Sequence, residues 1–129
     1  MKKYILIFIL IICSYFFNIP EYVELNDLAI IESIGISYKN DKFNIIFKEV
    51  IPIKEENGIK YEYKYYKAKD NSFDGAITKI KKQTKKKFYL KRVKLLVTNS
   101  INNDKYLIDL DINPTTIKYL ENDVFKVIK

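Results

Sequence analysis

Residues 30–53 read IIESIGISYKNDKFNIIFKEVIPI. Two runs rich in β-branched and aromatic residues flank the polar cluster Lys39-Asn40-Asp41-Lys42. Such side chains suit a pleated, half-buried surface, and Asn and Asp tolerate the backbone of a tight turn. The stretch predicts an antiparallel hairpin, with strands over 30–38 and 43–53. Gly35 lies inside the first strand, where a glycine predicts a bulge or a close backbone approach.

The chain on either side extends this hairpin. After the polar connection KEENG (54–58), residues 59–70 alternate with period 2. Tyr61, Tyr63 and Tyr65 share one face and Glu62, Lys64 and Tyr66 the other, which predicts a third strand with one wetter face. The period then changes. Over 71–88, Phe73, Ala76, Ile77, Ile80 and Thr84 fall on one helical face and lysines fill the rest. Asn71 or Ser72 is placed to cap that helix, and Asp74 complements its dipole. Residues 92–100 return to strand character around Leu95-Leu96-Val97. A short helix is expected over 103–113, a break at NPTT (113–116) and a final strand over 123–129. Upstream, 21–29 fits a helical turn with Leu25 and Leu28 on one side. The order predicts an α+β fold: one small domain over 21–129, with a mixed, mostly antiparallel sheet packed on one face by one or two helices.

Residues 1–20 are set apart. Lys2 and Lys3 precede a 14-residue apolar run from Tyr4 to Phe17, the composition of a secretory signal peptide. As a helix this run spans roughly 21 Å, short of a hydrocarbon core of about 30 Å. Small residues of a cleavage site are missing between Ser14 and Tyr22, so a retained anchor is expected. The lysines then hold the N-terminus in the cytoplasm and place 21–129 on the far side of the membrane. Cys13 is the candidate for lipidation, but Ile12 occupies the place where a lipoprotein site has a small residue. The plainer reading is one more apolar side chain of the segment.

Composition narrows the chemistry. The 129 residues contain no histidine and one cysteine, which removes the usual His-based triads and common zinc sites, and any internal disulfide. The 16 acidic residues are scattered, and the three glycines form no phosphate loop. No enzyme, cofactor or metal is expected. The net charge is +7, and Arg92 is the only arginine among 23 basic residues. Nucleic-acid readers favour arginine, so no nucleic-acid partner is expected. Residues 79–94, KIKKQTKKKFYLKRVK, carry nine basic residues and no acidic one. Lys79, Lys81, Lys82, Lys85, Lys86 and Lys87 form either a contact for an anionic surface or a solvated helix face. The Tyr-Lys alternation of 60–69 superficially suggests a base-stacking platform, but a half-buried strand explains it without a ligand and is the preferred reading.

Residues 24–41, ELNDLAIIESIGISYKND, followed by KFNIIFKEVIP, resemble the start of the mature Ger(x)C family, the C subunits of spore germinant receptors. Glu24, Leu25, Asp27, Leu28 and Ala29 match its E-L-x-D-L-A segment, and Gly35-Ile36 matches the end of its first strand. Residues 72–100 resemble the family's amphipathic helix, basic turn and buried strand, in the same order and spacing. These positions read as structural. Aligned on Glu24-Leu25, the family's lipidated cysteine falls near Ile19, six residues beyond Cys13, so anchoring by residues 4–17 takes its place. Family members carry further domains, so the resemblance implies a truncated or stand-alone first domain. It also implies a non-enzymatic, membrane-associated role in spore germination, beside integral-membrane receptor subunits at the spore inner membrane. The alternative is a small basic protein that binds a membrane surface or anionic polymer through Lys79–Lys94.

Overall fold

The computed structural model describes residues 2–17, 27–99, 102–120 and 128. The elements are α1 (Lys2–Phe17), β1 (Leu28–Lys39), β2 (Lys42–Glu55), β3 (Gly58–Asp70), α2 (Phe73–Lys81), β4 (Lys87–Tyr89), β5 (Leu95–Thr98), α3 (Asn103–Leu110) and β6 (Thr116–Tyr119).

The hairpin forms where the sequence places it. Lys39 pairs with Lys42, and Asn40 and Asp41 between them both take left-handed φ, 53° and 58°. Two such residues make a turn whose twist matches that of the flanking strands. The bulge, however, is at Glu32. Ile31 pairs with Glu49 and Ser33 with Lys48, leaving Glu32 as the extra residue. Gly35 instead sits buried in regular pairing between Ile46 of β2 and Val97 of β5.

The sheet runs β3-β2-β1-β5-β6, and β4 pairs with the start of β1. Pairing is antiparallel within β1–β2–β3 and parallel at β4, β5 and β6. This is the mixed α+β sheet expected. One face carries the main core: Ala29, Ile31, Ile34 and Ile36 of β1, Ile45 and Phe47 of β2, Tyr66 of β3 and Leu96 of β5. Both helices cover it. Phe73, Ala76, Ile77 and Ile80 of α2 pack down, and α3 adds Tyr106. Phe73 stacks on Tyr106 at 5.2 Å, and Phe43 meets Phe73 edge-on at 5.8 Å, pinning both helices to β2. The opposite face holds a smaller cluster of Ile46, Val97 and Ile128.

α2 is half the length its periodicity suggests. Ser72 caps it, its hydroxyl accepting from the Gly75 N–H at 3.0 Å. It ends at Lys81, so Thr84 and the following lysines are not helical. Continuation would set Lys81 against Lys85 and Lys82 against Lys86, like charges one turn apart. Leaving the helix also delivers Phe88 to β4, edge-on to Phe47 at 5.3 Å and to Tyr66 at 5.2 Å. At the C-terminal end, β6 (Thr116–Tyr119) begins on the last residue of the expected NPTT break and adds parallel to β5. Of the strand expected over 123–129, only Ile128 is described, and its backbone is helical. In the expected helical turn, 21–26 lie outside the described residues, and Leu28 already belongs to β1.

α1 is apolar and exposed from Tyr4 to Ile12, and Cys13 is exposed on it. Its 16 residues cover about 24 Å at 1.5 Å each. Among the described residues, no helix is long and apolar enough to cross a membrane.

Candidate functional site

The residues of the E-L-x-D-L-A and Gly-Ile matches go mostly into the sheet. Ala29 and Ile36 are fully buried, Gly35 is buried and Leu28 is half-buried. Asp27 is exposed, and Glu24 and Leu25 lie outside the described residues. Leu28, Ala29, Gly35 and Ile36 thus belong to β1.

The basic run divides in two. Lys79 Nζ donates to the Lys69 carbonyl at 2.9 Å and lies 3.8 Å from Asp70. Lys86 turns toward the sheet and donates to Glu49 Oε1 at 3.1 Å. The structure thus draws Lys79 and Lys86 into intramolecular contacts. Lys81 on α2, Lys82 at its C-cap, Lys85 in the connection and Lys87 on β4 remain exposed. Thr84 Oγ1 accepts from the Lys86 N–H at 3.2 Å, which orients the approach of that lysine.

Glu49 is the residue that sequence reasoning passed over. It sits on β2 with its side chain on the helix-covered face, 2% exposed. Tyr66, two strand positions away on the neighbouring β3, donates its hydroxyl to Glu49 Oε2 at 2.6 Å. Together with Lys86, it gives each carboxylate oxygen a donor. Burial first, then the hydrogen bond and negative charge of Glu49, push the Tyr66 phenol up from 10.0 to about 12. The signal was in the alternation: Phe43, Ile45, Phe47 and Glu49 share one phase of β2. An acid in the inward phase of a strand requires a partner.

The chemistry of this group is that of a clasp. A phenol at about 12 stays protonated near neutrality, and the carboxylate is already occupied by a hydroxyl and an ammonium. Neither is a free base or nucleophile. What the clasp does is hold the non-helical part of the basic run against the sheet. It thereby fixes where Lys85 and Lys87 project. Beside it, a cavity of about 470 Å³ between α2, α3 and β4 is lined by Phe47, Ile77, Phe88 and Leu110 together with Lys81 and Lys87.

The other face of the sheet carries a second groove, also about 470 Å³, lined by Ile30, Val50, Pro52, Tyr61 and Tyr63 with Arg92 and Lys94. The strand alternation at 59–70 is as expected, but the buried tyrosine is Tyr66. Tyr61 and Tyr63 stand 55% and 47% exposed on the opposite side. Among the described residues, no group of three or more acidic or cysteine side chains is arranged to hold a metal ion.

Over residues 21–100, the sequence matches the family described as spore germination protein N-terminal domain. That span takes in the hairpin, β3, the clasp and the whole basic run, and ends just after β5. No curated protein and no solved structure matches the chain.

Proposed function

From the premise that the chain belongs to the spore germination protein N-terminal domain family, we propose that it is a non-enzymatic, membrane-associated, C-subunit-like protein of a nutrient germinant receptor. The match over 21–100 carries this reading. In it, residues 1–20 tether the chain and residues 21–129 lie on the extracytoplasmic side. The domain contributes protein contacts to integral-membrane receptor subunits in the spore inner membrane. The arrangement of polar groups supports a binding role: the buried acid is matched to a lysine and a tyrosine, and the exposed charge lies on the surface. Detergent extracts of spore inner membranes test it. A tagged full chain is expected to bring down an integral-membrane receptor subunit. Synthesis only in vegetative cells, or recovery of the chain without membrane or partner, would overturn the reading.

A second reading is favoured by one observation, the division of the basic run. Lys81, Lys82, Lys85 and Lys87 point outward while Lys79 and Lys86 are held. These four lysines suit an anionic lipid surface next to the tether, with attraction that salt screens. Vesicles containing anionic lipid should bind the chain less when Lys81, Lys82 and Lys85 are changed to Glu. Unchanged binding would remove this role. Lys86 is left out of that test because its loss strips Glu49 of its cation.

A further inference from the structure

Among the described strands β3 ends the sheet, and its register with β2 is unbroken from Gly58 to Asp70. Along such a strand, alternate residues aim N–H and C=O away from the neighbour. The carbonyls of Lys67 and Lys69 identify which ones. Gln83 Nε2 and Lys79 Nζ reach them from the α2 side, so the odd-numbered residues of β3 face outward. α2 and the turn after it therefore close the C-terminal part of this edge. They do not reach Tyr61, Tyr63 or Tyr65, whose outward backbone groups meet no described hydrogen-bond partner. An edge of this kind is a template for another strand.

We propose that this edge pairs antiparallel with the same edge of a second copy of the chain, about a two-fold axis through Tyr63. Tyr63 then lies opposite its own copy, and Tyr61 opposite Tyr65, with their outward N–H and C=O groups exchanging hydrogen bonds. Glu62 lies opposite Lys64 on both sides of the axis, in the closer, non-hydrogen-bonded positions. Lysines on an edge normally repel a neighbouring strand. Here Lys64 meets an acid, and Lys60 meets the position of Tyr66. An axis through residue 62 would set Glu62 against its own copy and Lys60 against Lys64. An axis through Tyr61 would pair Glu62 with Lys60 and run the contact into the 56–57 turn. Charge and the tyrosine ladder together select the axis at Tyr63. The contact is isologous, so it closes at two copies and leaves no further edge of β3 to grow from.

Sedimentation velocity of the full chain in detergent micelles tests this. The wild type is expected to show a monomer–dimer equilibrium. Glu62→Lys and Lys64→Glu each replace two opposite-charge pairs with two like-charge pairs, and each should weaken the dimer roughly tenfold. The double exchange restores the pairs and the dimer. Both positions are exposed, so unchanged unfolding midpoints will separate loss of association from loss of fold. Tyr63→Pro removes the central outward N–H without touching the β2 ladder, and should give monomer at every concentration. A wild type that sediments only as monomer overturns the proposal. So does a double exchange that fails to recover, or rescue of Glu62→Lys by Lys60→Glu in its place.

Discussion

Lys48 and Glu49 are neighbours on β2, and each forms an ion pair on its own face of the sheet. On the face opposite α2 and α3, Lys48 lies 3.8 Å from Glu32, with side chains 17% and 33% exposed, and sits 4.1 Å over the Tyr63 ring. On the covered face, Glu49 is 2% exposed, 3.1 Å from Lys86 and 2.6 Å from the Tyr66 hydroxyl. One strand and one residue step separate two pairs of different strength. A pair beside water gains little, because water solvates either partner nearly as well. A carboxylate cut off from water depends on its protein donors. The burial of Glu49, rather than the charges themselves, creates the difference.

The comparison breaks most readily at Lys86. Lys86→Ala leaves Glu49 buried with only the phenol as donor, and a loss of about 3 kcal/mol is expected by urea unfolding. Glu49→Ala should cost less, about 2 kcal/mol, because the Lys86 side chain is 38% exposed and can turn back to solvent. The reverse order would show that the clasp depends on the lysine end, contrary to the burial.

Alkali sharpens the same contrast. The folded Tyr66 phenol is raised to about 12, above its unfolded 10.0. Its stabilising contribution is therefore complete below pH 10 and is lost as pH climbs through 12. The wild type should lose up to about 2 kcal/mol more than Tyr66→Phe across that window. Equal loss in both proteins would mean that the phenol titrates alike in both states. The smallest effect belongs to the open face. Lys48→Ala or Glu32→Gln should change stability by less than about 1 kcal/mol, and salt should erase most of it.

Much of the fold was legible because local chemistry and tertiary demand agree there. Asn40-Asp41 wants left-handed backbone and the hairpin needs it. Phe73, Ala76, Ile77 and Ile80 have helical spacing, and the sheet offers that stripe a surface. Where the two demands diverge, sequence reasoning failed. Thr84 continues the helical stripe of 73–80, but the lysines around it repel at helical spacing and Phe88 gains more from β4. The clasp was hidden for another reason. Glu49 and Lys86 are 37 residues apart and Glu49 and Tyr66 are 17 apart. Only the inward phase of Glu49 pointed to a partner, and nothing local named it. The alternation of β3 predicted one wetter face without saying which, and Tyr61 and Tyr63 are the tyrosines that stand exposed.

The bulge at Glu32 has a consequence for how the chain tolerates change in length. Upstream of it, Ala29 and Ile31 point to the helices; downstream, Ile34 and Ile36 do. The two halves of β1 are out of step by one residue, and Glu32 absorbs the offset, lending its carbonyl to the Lys94 N–H at 2.9 Å on the way into β5. Removing Glu32 would leave an evenly alternating strand with every side chain on its present face. Removing Ile34 or Gly35 with the bulge retained would instead slide Ile31 out of phase with Ile36. Glu32 is thus the hinge in the reading frame of this strand, the place where loss of one residue leaves the architecture intact.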